Sequence, residues 1–394
     1  MEHNLKIFTD NIEPVAINQI YNLLVTPPFD GSKVRIMPDV HIGSGCVVGF
    51  TATMGDKVIP NVIGVDIGCG MLTVNLGKKE IDFKAVDEFI HEKIPAGSDL
   101  NKNYDDLDYV KTLLCYDELN DKDRIYRSLG TLGGGNHFIE IDKDDEGNHY
   151  LIIHTGSRNF GLQVAKLYQQ KAIAACKVTS ATKRDNSYAF VKKLDRCARV
   201  PDSVAQSIYE NSIRSKVPNE YCYFLGDECD AYLHDMRLCQ KFASDNRAKI
   251  AEKILKFLGI RKAESFETMH NYIDDDGIIR KGAISAREGQ KVIIPMNMRD
   301  GCLIATGKGN PDWNYSAPHG AGRLVGRGEA KELFTQEEYV NAMEGIYTTS
   351  VNESTIDESP MAYKPMDEIV RLISPTVEIE KIIKPVYNFK ASKK

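Results

Sequence analysis

The chain has 394 residues, enough for one large domain or two to three ordinary ones, and its 42% hydrophobic and 27% charged content excludes disorder, collagen-like repeats and a coiled coil. The 50 basic and 56 acidic side chains leave a net charge of −6, which excludes a non-specific polyanion coat of the histone kind but not a local basic pocket for phosphates. No apolar run reaches the ~18 residues that cross a bilayer, and residues 1–14 carry no signal-peptide core, so a cytoplasmic protein with no membrane partner is expected.

In chain order, the patterning predicts strands at 46–52, 61–67, 71–76, 137–142 and 149–154. Helices follow at 203–217 and 230–258, the second with Leu233, Met236, Phe242, Ala243, Ile250, Ile254 and Leu258 at helical spacing and Gly259 as its stop. A strand at 291–296 comes next, then a capping box, Thr335 to Glu338, opening a helix through Tyr339, Met343 and Ile346. Glycine crowds into 43–49, 64–70, 130–135, 301–309 and 320–328. Because helices and strands alternate irregularly and the glycine-rich loops are dispersed, we expect one α+β domain spanning 1–394 whose loops converge on a single site. Nine cysteines without a C-x-x-C pair fit reduced, mostly buried thiols rather than a disulfide framework or a zinc ribbon.

Five of the nine histidines, His41, His137, His154, His270 and His319, sit in or against polar, glycine-rich windows. If 143–148 is a turn, an antiparallel hairpin sets position 142 opposite 149 and His137 opposite His154. Cross-strand Cβ atoms lie about 5 Å apart, which suits ligands of neighbouring cations. A one-residue slip in register parts them, and strand parity sends Glu140 to the face opposite His137. Asp66 and Cys69, on a loop hinged by Gly68 and Gly70, face one cation together, and the thiolate can bridge two. Thiolate with imidazole is a soft donor set that on its own points to zinc or iron. His270, before Asn271, reads equally as a ligand or as a helix-terminus histidine.

Arg158, Arg280, Lys281, Arg287, Lys308, Arg323 and Arg327 form a basic set interleaved with glycine, suited to phosphate. His319, after Pro318 and before Gly320, Gly322 and Arg323, has the setting of a nucleophile on a stiff turn beside a phosphate clamp. Neither a P-loop nor the Rossmann glycine spacing occurs, and the Lys-x-Asp-Gly of lysine-nucleophile nucleotidyl transferases is missing. Nucleotide chemistry here therefore needs another pocket and another nucleophile.

The runs Asp39–Gly43, Gly64–Met71, Gly133–Phe138, His154–Arg158, His270–Asn271, Arg280–Ala283 and His319–Arg323, in this order, resemble the RtcB family of RNA ligases, with a match from Asp39 to Lys390. The resemblance implies mixed sheets flanked by helices around a central two-metal cleft. It implies a ligase, dependent on GTP and two Mn²⁺ ions, that joins an RNA 3′-phosphate or 2′,3′-cyclic phosphate to a 5′-hydroxyl in RNA repair or tRNA splicing, and an archease-like activator as a partner. Cys69 would bridge the two ions, with Asp66 and His137 at one and His154 and His270 at the other. His319 would take up GMP through a phosphoramidate. Asn136, His270 and Asn271 would border the nucleotide, Glu140, Tyr363 and Lys390 would form the guanine pocket, and Arg158, Arg280, Lys281 and Arg323 would hold phosphate or RNA.

Residues 295–301, Ala317-Pro318, Asn159-Phe160 and Ser359–Met361 depart from the family pattern, which points to a divergent paralogue. The alternative reading is a metal-dependent phosphohydrolase opening cyclic phosphates, for which His319 is dispensable. A second alternative is a silent binder of RNA ends.

Overall fold

A computed structural model describes residues 4–104, 106–194, 214 and 216–391. The architecture is α+β with several sheets. The largest sheet has seven strands in the order Lys291–Asn297, Gly301–Gly307, Val377–Lys390, Phe138–Lys143, His149–Thr155, Gly70–Gly77 and Ser265–Met269. All neighbours are antiparallel. A five-stranded sheet runs Asn4–Ile7, Lys33–His41, Val48–Thr53, Ile278–Lys281 and Asn271–Ile273. The chain passes from one sheet to the other at His270, between Met269 and Asn271. A small ribbon, Ala283–Ser285 against Ser316–Pro318, delivers His319.

Alternation explains the strands, since their inward residues (Ile139, Ile141, Leu151, Ile153 and Val74) form one core with Ile250 and Ile254. These last two lie on the helix Asp227–Phe257, whose buried stripe runs Tyr232, Met236, Cys239, Phe242, Ala243, Asn246, Arg247 and Ile250. Gly259, at φ +71°, ends it as the sequence expects. The capping box is present, Thr335 Oγ1 accepting from Glu338 N–H, but its helix closes at Ala342. The helix predicted at 203–217 falls almost entirely outside the described residues. The eight described cysteines are buried thiols outside any disulfide, and among the described residues no helix is long and apolar enough to cross a membrane.

Two expectations are corrected. Residues 61–67 are not a strand: Pro60 opens a one-turn helix, Pro60–Ile63, and Gly64 leaves it at φ +87°, because proline suits the first helical position and cannot donate to a ladder. The hairpin register is also shifted by one. Lys143 belongs to the strand and pairs with His149, so Phe138, not His137, lies across from His154. The turn is the tighter 144–148, closed by Gly147 N–H donating to Asp144 O at 3.0 Å. The helix Arg158–Leu194 was missed, although Val164, Ala165, Tyr168, Ala172 and Cys176 are buried along it at helical spacing.

The helix Asp227–Phe257 presses on the loop before Gly70. A Cβ at Gly68, which sits at φ +72°, would lie 2.8 Å from Gln240 Cα. Arg247 Nη1 donates from the same helix to Gly68 O at 2.9 Å and to Thr155 O at 2.6 Å. Gly68→Ala is therefore expected to destabilise the fold by about 1–3 kcal/mol through strain and overpacking, read as a lower urea midpoint with an unchanged m-value.

Candidate active site

Four neighbouring strands end at one edge of the large sheet, and each brings a candidate ligand. His137 precedes Phe138, His154 pairs with Met71, Cys69 precedes Gly70, and His270 follows Met269. Cys69 Sγ stands 3.5 Å from His137 Nε2 and 3.4 Å from His154 Nε2. His137 Nε2 is 2.9 Å from Asp66 Oδ2. Donor atoms of Asp66, Cys69 and His137 form one cluster, and those of Cys69, His154 and His270 a second that shares the sulfur. The two histidines meet despite the shifted register because His137 lies outside the strand, where the pleat does not dictate its direction.

Backbone carbonyls set the imidazole tautomers. His137 Nδ1 donates to Leu132 O at 3.0 Å and His154 Nδ1 to Asn136 O at 3.1 Å, so both Nε2 lone pairs face the sulfur. Burial pushes the His154 and His270 pKa values well below the usual range, keeping both rings neutral. Burial pushes the Cys69 thiol up, reinforced by Asp66. It opposes ionisation of Asp66 too, but the adjoining His137 ring and the charge of Arg158 outweigh it and hold that carboxyl low. His270 Nδ1 is buried with no hydrogen-bond partner. Electron pairs thus converge with too few protons between them, which fits divalent cations: Asp66, Cys69 and His137 would hold one and Cys69, His154 and His270 the other. Only glycine fits at 156, where a Cβ would fall 2.1 Å from Asp66 Oδ1.

His270 and His319 have ring centroids 4.8 Å apart, so His319 adjoins the second cluster. Its Nδ1 donates to Asp39 Oδ2 at 2.6 Å and its backbone N–H to the same oxygen at 3.1 Å. Asp39 is wholly buried on the strand Lys33–His41. The tautomer is thereby fixed with the lone pair on Nε2. His319, His41, Asn136 and Arg327 line two adjoining clefts. One holds Asp66, Cys69, His270, Asn271 and Lys281; the other holds Glu140, Arg323, Glu358, Tyr363 and Lys390.

In the second cleft Glu358 organises the charge. Its carboxylate accepts from Lys390 Nζ at 2.7 Å and Tyr363 Oη at 2.9 Å, and pairs with Arg327. Burial raises its pKa, but Lys390, Arg327 and Arg323 outweigh this and hold it down to about 2. Arg323 lies over the Tyr363 ring at 5.2 Å. In the first cleft, Asn271 Nδ2 donates to Asp66 O at 3.1 Å and Lys281 Nζ donates to Ser44 O. Arg158, held at φ +56°, donates from Nε to Thr131 Oγ1 at 3.3 Å and from Nη2 to Gly97 O at 3.3 Å.

Arg280 does not join either cleft. Its guanidinium is fully buried, paired with Asp274 at 2.7 Å and donating to Ser316 Oγ at 2.9 Å, so it braces the ribbon that carries His319. Parity does not separate Glu140 from the metal-type donors, because the observed register sets it opposite Ile152 on the face that His154 shares; it accepts from Asn388 Nδ2 at 2.5 Å.

A family model described as tRNA-splicing ligase RtcB matches residues 19–114 and 115–391. The chain belongs to the RtcB family of RNA ligases. It is 29% identical to the RNA-splicing ligase RtcB of Escherichia coli K12, over 95% of this chain and 94% of that protein. It is 27% identical to the tRNA-splicing ligase RtcB of Aeropyrum pernix, over 86% and 83% of the two chains. An RNA-splicing ligase RtcB2 of Escherichia coli is 23% identical over 92% and 88%.

Residue-by-residue reading missed Asp39, Arg247, Glu358 and Asn388. Asp39 stands in the same short run as His41, but nothing in the spacing connects it to a histidine 280 positions later. Arg247 and Asn388 look like ordinary helix and strand residues, and Glu358 like solvated charge, until burial is known.

Two expectations follow. Cys69→Ala removes a donor shared by both clusters, so calorimetry with a divalent cation is expected to lose both binding events. Asp39→Asn frees the tautomer of His319 and is expected to slow RNA end joining by about 10²- to 10⁴-fold in a timed ligation assay, with cation binding unchanged.

Proposed function

We propose that this chain joins an RNA 3′-phosphate to a 5′-hydroxyl at the expense of GTP, with His319 as a transient guanylyl carrier. The observation that carries the reading is the Asp39–His319 contact of 2.6 Å, at the seam between a cluster of metal-type donors and a cleft with a charged far wall. A neutral imidazole with one nitrogen tied to a buried carboxylate is a nucleophile that can be charged and discharged.

In the first step His319 Nε2 bonds to the α-phosphorus of GTP and the bond to pyrophosphate breaks. The Nδ1 proton stays at Asp39, whose charge balances the imidazolium character that develops. In the second step GMP moves to the RNA 3′-phosphate and the P–N bond breaks. In the third the 5′-hydroxyl oxygen attacks that phosphorus and GMP leaves. A pair of Mn²⁺ ions, when bound, would withdraw charge from the reacting phosphates and provide the hydroxide that opens a 2′,3′-cyclic end.

The chain's own residues divide the remaining work. Glu140, Tyr363 and Lys390 would receive the guanine, while Asn136 and Arg323 would approach the nucleotide phosphates. His270 and Asn271 would close its other side. Lys281 and Arg158, beside the metal-type donors, would hold RNA phosphate. Arg280, committed to Asp274, would act only through the His319 ribbon. Pro295, Met296, Asn297 and Met298 line the second cleft, so one of the segments that depart from the family pattern would border the nucleotide.

The test is incubation with α-labelled GTP and Mn²⁺, followed by RNA carrying 2′,3′-cyclic phosphate and 5′-hydroxyl ends. An acid-labile label on the wild-type chain, absent in His319→Ala, and joined RNA only with GTP are expected. Cyclic ends opened without joining, and equally by His319→Ala, would make the chain a phosphohydrolase instead. Repeating the assay with an archease-like activator tests that partner through the number of turnovers.

A further inference from the structure

Glu140 and Asp142 are two apart on the strand Phe138–Lys143, so their side chains leave on one face. Both are buried, and one carboxylate oxygen of each lies within 4.8 Å of the other and of Cys302 Sγ on the strand Gly301–Gly307. Their surroundings are unequal. Glu140 lines the nucleotide cleft, accepts from Asn388 Nδ2 at 2.5 Å and from Cys302 Sγ at 3.8 Å, and feels the charge of Lys390. Asp142 sits behind it, away from the cleft. Among the described residues no nitrogen or hydroxyl donor reaches either of its oxygens, and its only donor neighbour is the Cys302 thiol that it shares with Glu140. Pro385, across the ladder on one side, has no side-chain donor, and Tyr150, across on the other, gives its hydroxyl proton to Asp144.

Two ionised carboxylates in this setting would repel with nothing between them, whereas one shared proton removes the repulsion and satisfies both partners. The donors around Glu140 favour charge there, so the proton belongs on Asp142. Burial pushes Asp142 well above the usual carboxylate range, helped by the charge of Glu140 and their hydrogen bond. Burial also raises Glu140, to about 7, while Asp142, Asn388 and Lys390 restrain that rise.

We propose that Asp142 is a positioning residue for base selection: as a neutral acid it donates to Glu140 and holds that side chain as an ionised, correctly aimed acceptor for the N1–H and exocyclic amine of guanine. The inference rests on the reading that this cleft takes the base of GTP. Adenine presents no N1–H, so the acceptor discriminates between the two purines. A protonated or rotated Glu140 does not.

Variants of the full chain test this, with GTP and ATP binding followed by calorimetry from mildly acidic to mildly alkaline pH. Asp142→Asn keeps an N–H donor and is expected to retain GTP affinity within about threefold. Asp142→Val removes the donor without burying a new polar group. Without that donor the Glu140 pKa rises, so the loss of GTP affinity on acidification begins at higher pH. At neutral pH the affinity falls by about tenfold, with ATP binding unchanged. Asp142→Ala replaces Asp142→Val in the comparison if the latter does not fold.

Unaltered GTP affinity and pH profile in the donor-free variant overturn the proposal, as does Asp142→Asn behaving like Asp142→Val. So does a third equivalent of divalent ion that Asp142→Asn loses, since the cluster with Cys302 is then a metal site. Glu140→Gln separates the two levels. An unchanged GTP-to-ATP preference in Glu140→Gln rejects the cleft assignment itself, and a lost preference with an indifferent Asp142→Val rejects only the role of Asp142.

Discussion

The site depends on a crowding of lone pairs that the folded chain alone does not relieve. One sulfur faces two imidazole nitrogens at 3.4 and 3.5 Å, and one of those nitrogens faces a carboxylate at 2.9 Å, with both rings turned so that their protons point away. Such an arrangement is unfavourable unless positive charge arrives, and it persists because the surroundings leave it no exit. The helix Asp227–Phe257 closes the back of the loop through Gln240 and Arg247, Gly156 admits the Asp66 carboxylate where any side chain would collide, and the carbonyls of Leu132 and Asn136 fix the rings. Stability invested in these supports is what makes the donor set ready for cations before they bind.

The same logic extends to His319. Its aspartate comes from the five-stranded sheet, its carrier ribbon is braced by Arg280, and its nearest imidazole neighbour, His270, is the residue at which the chain changes sheets. The metal-type donors belong to the edge of one sheet and the orienting carboxylate to the other. The His319 ring therefore stands where the two layers meet.

Much of this was legible in the residues. Glycine spacing pairs Cys69 with Asp66, and a hairpin argument pairs His137 with His154; the two rings do lie 5.5 Å apart, but through a register other than the one argued. The error is instructive: period-two reasoning is valid inside a ladder, and His137 lies one residue outside it, where a glycine turn and a carbonyl decide its direction. What was illegible has a common cause. Asp39, Glu358 and Arg247 act because they are buried against partners remote in sequence, and composition and periodicity carry no information about such partners. Arg280 was misjudged for the same reason: in sequence it shares a basic run with Lys281, in space it is spent on Asp274. The strand at 61–67 failed because apolar residues after a proline were read without regard to the angle that proline sets.

The order of strands in the large sheet has a bearing on how the molecule is made. The strand Val377–Lys390 lies between Gly301–Gly307 and Phe138–Lys143, so it joins two parts of the sheet laid down much earlier in synthesis. Until it docks, each part offers a bare hydrogen-bonding edge, and the wall of the second cleft that contains Lys390 and Asn388 is missing. Docking of this one strand thus completes the cleft wall and pairs both edges at once.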